Sequence, residues 1–184
     1  MRVWASLSGS EMGYREEMGR AMRLLADDKR VIFVGQSVVF PGPVAIAESL
    51  EGIPRSRRVE LPVAEEMQLG ISIGLALEGY IPVSIYPRMD FLILAANQLV
   101  NHLDKIEEMS CGRFRPKVII RTCVGAKSPL NPGPQHCQDH TNALRQLLTN
   151  VDVVRLESAE AIVPAYRQAL GSERSTILIE LANA

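Results

Sequence analysis

Short apolar runs alternate with stretches of helical periodicity along almost the whole chain, and this alternation restricts the fold more than any other feature. The runs fall at 31–34, 59–63, 81–86, 117–123, 151–156 and 176–181. Val31-Ile32-Phe33-Val34 is apolar throughout and does not alternate, which suits a strand covered on both faces. Between the runs, Met18, Ala21, Met22 and Leu25 recur every three or four residues, predicting a helix over 11–26 that starts with a hydroxyl cap in Ser8-Gly9-Ser10-Glu11. Further helices are expected at 44–50, over 65–78, as one long helix over 89–109, and at 141–148 and 159–170. Pro41-Gly42-Pro43 breaks the chain before the second of these. Strand and helix in this order mean α/β, with a mostly parallel sheet and helices on both faces.

With 184 residues, 47% apolar and 22% charged, the chain reads as one globular domain over 1–184. Its net charge of -1 and the lack of a basic block argue against nucleic acid as a partner; Arg55-Ser56-Arg57-Arg58 is too short. Cys111, Cys123 and Cys137 are odd in number and lack CxxC spacing. Neither a disulfide framework nor a zinc site is expected, and a cytoplasmic location is. No secretory signal is visible, and no apolar run approaches the roughly 20 residues that span a bilayer, so no membrane partner is expected.

The chemistry concentrates in a few places. Glu65 and Glu66 stand where the run at 59–63 gives way to a helix almost free of charge until Glu78. A helix apolar all round is a buried one, so at least one of these acids faces the interior. A desolvated carboxyl needs a partner and is a candidate acid or base. The alternative is a helix start decorated with acids that its dipole favours. Gly35-Gln36-Ser37-Val38 follows a buried strand, where ligand contacts of α/β sheets lie. Tyr86 and Phe91 flank the loop after the third strand. An acid and an aromatic at adjacent strand ends suit a flat heteroaromatic ring, although core packing is preferred for Tyr86. The long loop 124–140 carries His136, Cys137 and His140. The histidines are weak metal ligands so close to Pro132 and Pro134. A pocket histidine acting as donor or proton shuttle is the better functional reading, beside a loop histidine that ties down backbone. Gly70 and Gly74 form a flat strip on one helix face where another helix can approach. There is no GxxxxGK[ST], dinucleotide-type glycine turn or GxSxG.

Pro62-Val63-Ala64-Glu65, then Gly70-Ile71-Ser72-Ile73-Gly74-Leu75-Ala76, then Gly79-Tyr80-Ile81-Pro82-Val83 follow one another at fixed distances. Phe91 to Asn101 and Gly133-Pro134-Gln135-His136-Cys137-Gln138 continue the series. Together they resemble the pyrimidine-binding domain of transketolase-type thiamine-diphosphate enzymes, above all the N-terminal half of 2-oxoacid dehydrogenase beta subunits. The resemblance covers nearly the whole chain. It implies the three-layer thiamine-diphosphate-binding fold and thiamine diphosphate as cofactor. By the resemblance, Glu65 matches the catalytic glutamate that hydrogen-bonds N1′ of the aminopyrimidine, favouring the imino tautomer that removes the C2 proton. Phe91 matches the aromatic that stacks on the pyrimidine, and His136 a catalytic histidine of the substrate channel. Pro87 lies near the ring where relatives often carry a larger apolar residue, and Gln36 falls in the cofactor-binding loop.

Two departures from the family shape the expectation. No second, C-terminal domain is expected within these 184 residues, and they contain no Gly-Asp-Gly segment with a downstream Asn to hold Mg²⁺ and diphosphate. A separate diphosphate-binding, alpha-type subunit is therefore expected to hold Mg²⁺, in a heterotetramer built on a homodimer, with the Gly70/Gly74 strip at a subunit boundary. The expected function is the pyrimidine-binding subunit of a split transketolase-like or 2-oxoacid decarboxylating enzyme. A non-catalytic scaffold subunit and an unrelated flavodoxin-like ligand-binding domain are the alternatives.

Overall fold

The computed structural model describes residues 9–40, 46–128 and 131–181. Ser8 of the expected helix start, the break at Pro41-Gly42-Pro43 and the first residues of the helix expected at 44–50 lie outside them. Among the described residues, six strands form one sheet: β1 Val31–Gly35, β2 Arg58–Glu60, β3 Ile81–Tyr86, β4 Ile119–Val124, β5 Val151–Arg155 and β6 Ser175–Leu181. Their order is β2-β1-β3-β4-β6-β5, and every pairing is parallel. Parallel strands need covered faces, and the helices supply both covers.

One face carries α1 Gly9–Ala26, α2 Ile46–Ser49 and α7 Ala159–Gly171. Met18, Ala21, Met22 and Leu25 of α1 are buried there as the spacing predicts, against Phe33, Val83, Ile85, Ile119 and Leu178 of the sheet. Arg121 of β4 and Glu180 of β6 point to this face and pair at 2.5 Å, with Arg121 Nη1 also donating to Ser49 Oγ at 2.6 Å. The opposite face carries α3 Glu65–Leu77, α4 Met89–Leu92, α5 Ile106–Met109 and α6 Thr141–Leu147, packed on Tyr86, Ile120, Ile177 and Ile179. The layers are thus helix, sheet, helix, as the alternation requires.

Two elements differ from expectation. The run at 59–63 is not one strand. Pairing with β1 ends at Glu60, opposite Gly35, with a last bond from Leu61 N to Gly35 O. Pro62 has no N–H to continue the ladder, and Val63 turns out to solvent, 76% exposed. The long helix expected over 89–109 is also broken. After α4 come a 3₁₀ turn at Ile93–Ala95, a π-helical segment at Asn97–Leu103, and then α5. Asp104 N bonds to Leu99 O, five residues back. The wider turn lets Leu99 and Leu103 stay in the core while the Asp104 carboxylate reaches the start of β5.

The chain steps from β1 outward to β2 and then crosses to β3 on the other side of β1. Loops leaving the carboxyl ends of β1 and β3 therefore diverge and open a crevice, the usual ligand position in open parallel sheets. Gly35 closes its floor. Its φ is +151°, and a Cβ there would stand 2.5 Å from Ile85 O, so only glycine lets the two strand ends approach so closely.

Candidate active site

All five candidate residues lie at the carboxyl ends of four adjacent strands. Gln36 follows β1, Glu65 opens the helix after β2, Pro87 and Phe91 follow β3, and His136 follows β4.

Glu65 is the first residue of α3 and is 6% exposed, whereas Glu66 beside it is exposed and takes a bond from Asn97 Nδ2 at 3.0 Å. The junction divides the two acids as expected. Glu65 is placed by its own helix. One turn on, Gln68 is fully buried and donates Nε2 to Ile85 O at 2.9 Å and to Ser84 Oγ at 3.1 Å. Ser72, a turn further, donates Oγ to Gln68 O at 2.8 Å and reaches Ser84 Oγ at 3.1 Å. These buried polar contacts pin the first two turns of α3 to β3. Tyr86 completes the mounting, its hydroxyl donating to Glu65 O at 3.3 Å. Burial pushes the Tyr86 phenol upward, the Ser84 hydroxyl opposes this, and the nearby Glu65 carboxylate adds to the rise, so the hydroxyl stays a donor. Tyr86 belongs to the core, as preferred from sequence, and also fixes the Glu65 backbone.

The Glu65 carboxylate has one described side-chain partner, Gln36 Nε2 at 3.5 Å. The loop bearing Gln36 is held by Glu60 at the end of β2. Its two oxygens accept from Ser37 N at 2.6 Å and Val39 N at 2.7 Å. Ser37 sits at φ +59°, a left-handed conformation uncommon for a non-glycine residue. Two short charge-assisted bonds to the flanking amides hold it there.

Phe91 and His136 meet edge to face, with ring centroids 5.4 Å apart and planes at 84°. His136 lies on a 3₁₀ turn at Pro134–His136, and its Nδ1 is buried without a partner among the described residues. Asp90 anchors the segment after this turn, its Oδ1 accepting from Gln138 N at 3.1 Å and Gln138 Nε2 at 3.0 Å. Pro87, half-buried, joins Tyr86 to Arg88 and so links the Glu65 group to the Phe91–His136 group. His140 lies at the start of α6, where its N–H meets Met89 Sδ at 3.3 Å.

Sequence reasoning did not single out Glu60, Gln68 or Arg88. An acid at the end of an apolar run was a signal for Glu60, and a cation directly after a strand was one for Arg88. Gln68 had no local signal, since its partners lie 16 and 17 residues away.

The glycine strip is half occupied. A Cβ on Gly70 would touch Gln98 at ordinary contact distance, while Gly74 faces open space. Met67, Ile71 and Leu77 of α3 are exposed on the outer side of the domain, as are Val63 before it and Ile93 and Leu94 on the neighbouring segment.

A buried, backbone-mounted carboxylate and a half-exposed aromatic ring thus both lie at the strand-end crevice. Comparison with known proteins gives the particular family. Residues 10–182 match the transketolase pyrimidine-binding domain family, and the chain belongs to it. It is 27% identical over 170 residues to the pyruvate dehydrogenase E1 component subunit beta of Cyanidium caldarium, covering 90% of this chain and 48% of that one. It is 26% identical over 152 residues to the 2-oxoisovalerate dehydrogenase subunit beta of Bacillus subtilis, covering 82% and 42%. The chain thus spans about half the length of the curated relatives it matches. The fold is shared with a structure described as a split gene transketolase, inactive beta4 tetramer, at a TM-score of 0.70 and 18% identity, covering 92% of this chain and 50% of that one. It is shared too with transketolase from Campylobacter jejuni, at a TM-score of 0.68 and 14% identity over 92% and 25%.

Proposed function

We propose that this chain supplies the pyrimidine-binding half of a thiamine-diphosphate-dependent active site. The other half, with Mg²⁺ and the diphosphate, comes from a diphosphate-binding chain. The observation that carries this reading is the Glu65 carboxylate, 6% exposed on a helix turn pinned to β3, with one long bond from Gln36. Its unused lone pairs point to an incoming donor, and a ring nitrogen bearing a proton is such a donor. The residues fit the group. Glu65 would accept a hydrogen bond from N1′–H, Phe91 would cover the aminopyrimidine, and Gln36 would orient the carboxylate. The cofactor, when bound, supplies the carbon nucleophile and electron sink for making or breaking a bond next to a carbonyl.

The chain's own work is positional. Gln68, Ser72 and Tyr86 fix Glu65 against β3, so its carboxylate keeps one orientation while a proton moves. His136 stands at the edge of the Phe91 ring, where it can hold or pass a proton at the substrate carbonyl. The apolar outer stripe of α3 and residues 93–94 is large for an isolated surface. It fits a boundary with another subunit, in a heterotetramer built on a pair of these chains. The reaction makes or breaks a carbon–carbon bond of a 2-oxoacid or a ketose.

The test uses the chain co-purified with a diphosphate-binding subunit. Glu65→Gln should leave the assembled mass unchanged by light scattering, weaken thiamine-diphosphate binding, and lower turnover by about 100-fold or more. Unimpaired turnover in that variant refutes the role and favours a scaffold subunit.

A further inference from the structure

Arg88 is a guanidinium beside the candidate site that makes no ion pair among the described residues. It directly follows the β3 strand end and is half-buried. Its described hydrogen bond runs only to the carbonyl of its own neighbour, from Nη1 to Pro87 O at 3.2 Å. Among the described residues it makes no ion pair. Two other buried or part-buried arginines are more fully engaged: Arg121 pairs with Glu180, and Arg57 donates to the carbonyls of Val31, Ala26 and Asp28. The nearest acid in sequence, Asp90, directs its Oδ1 at Gln138. Cys123 lies close enough to feel the Arg88 charge. Burial, then the Glu180 carboxylate, pushes its thiol up to about 12 against that charge, so the thiol stays neutral and does not compensate Arg88.

The guanidinium is packed against the turn that carries His136. Gly125 lies between them. A Cβ there would stand 2.0 Å from His136 O and 3.3 Å from Arg88 Nε. The missing side chain therefore lets the 125 backbone, the His136 turn and the Arg88 fork close on one another. His136 Nδ1 is buried without a partner, and its ring abuts Phe91. The Arg88 guanidinium and the backbone of the His136 turn thus share a corner, next to the ring taken above as the cofactor cover.

We propose that Arg88, with His136, forms an oxyanion-binding corner that holds the carboxylate or phosphate of the substrate and so selects anionic over neutral carbonyl compounds. The proposal rests on the reading above only for where the reacting carbonyl lies. A planar guanidinium binds carboxylate or phosphate through two parallel N–H bonds. In a half-buried position such a bond replaces water that the charge has already partly lost. The shared chemistry is a singly or doubly charged oxyanion on a small molecule.

The experiment follows the histidine ring signals of ¹³C,¹⁵N-histidine-labelled chain, assembled with its diphosphate-binding subunit. Pyruvate, inorganic phosphate and the neutral methyl pyruvate are added in turn to wild type, Arg88→Met and Arg88→Lys, and thiamine-diphosphate binding is measured on the same samples. The His136 signal should shift saturably with pyruvate or with phosphate, whichever is the true source, and not with methyl pyruvate. Arg88→Met should weaken that binding by tenfold or more and Arg88→Lys by less, with thiamine-diphosphate binding retained in both. Should Arg88→Met not fold, a loss of affinity in Arg88→Lys, which keeps the charge and loses the fork, carries the result. Equal shifts in wild type and variants overturn the proposal, as does a wild-type His136 signal that responds to neither anion or equally to the neutral ester. Arg88-dependent anion binding in a complex that takes up no thiamine diphosphate would leave this site standing and remove the cofactor reading instead.

Discussion

Glu65 and Asp104 are both buried carboxyls, and their surroundings give them opposite uses. Glu65 has a single long bond and so retains acceptor capacity for something outside the chain. Asp104 is fully buried and saturated. Its Oδ1 accepts the amides of Thr149, Asn150 and Val151 at 2.9, 2.7 and 3.1 Å, and its Oδ2 accepts from Thr149 Oγ1 and Lys105 Nζ, each at 3.0 Å. Burial alone would push this carboxyl up. The Asn150 amide, the Lys105 ammonium and the Thr149 bonds outweigh it and leave it lowered. A lowered folded-state value means that the stabilisation is fully present above the ordinary aspartate range, near pH 4. It is lost as pH falls through the folded value. Asp104→Asn should lose about 1–3 kcal/mol at neutral pH, because one oxygen becomes a donor facing Lys105 and the Thr149 hydroxyl. It should also flatten the acid limb of a plot of urea midpoint against pH. A variant with the wild-type midpoint at pH 7 would show that the cluster adds nothing. Glu65 stands out in the sequence at the start of an apolar helix, whereas Asp104 lies among the charges of 104–108 and does not. Which one is spare and which is saturated depends on residues tens of positions away.

At the scale of elements, the loop after β1 shows how strand ends build a site. Gly35 lets β1 approach β3, Ser37 turns left-handed, and Glu60 clasps the amides of Ser37 and Val39. Glu60→Gln puts an amide where two N–H groups converge, so one bond is replaced by a clash of donors. Hydrogen exchange at Ser37 and Val39 should rise by about tenfold or more, corresponding to about 1.4 kcal/mol of local opening. Glu60→Asp should recover part of the protection. Unchanged exchange in Glu60→Gln would exclude the clasp. The strand signals in the sequence located this loop, because β-branched runs report burial directly. The boundary of β2 was not legible to the residue. Apolar character continues through Val63, and only the pairing with Gly35 shows that Pro62 ends the ladder. The segment 89–109 is the larger divergence. Its residues are good helix formers, and its irregularity arises from outside, where Asp104 is drawn to the start of β5.

At the scale of the molecule, the outer stripe of α3 has no partner within the domain. Gly74 faces open space, Ile71 is 37% exposed and Leu94 is 59% exposed. If this stripe is a subunit boundary, Ile71→Glu should reduce the assembled mass by light scattering. The same variant should change the melting temperature of the dissociated chain little, since exposed substitutions are usually within about 0.5 kcal/mol. An unaltered assembly would place the boundary elsewhere. The sequence alone determined the layer architecture, since six β-branched runs alternating with apolar-faced helices have few ways to bury both sheet faces. It also determined the positions of Glu65, Phe91 and His136, because strand ends follow from those runs. Only the tertiary structure decided which of these groups are spent and which are free. Hydrogen bonds from Gln68, Tyr86, Glu60 and Asp90 cross between elements distant in sequence, and satisfaction or vacancy at a buried polar atom is a property of its neighbours in space.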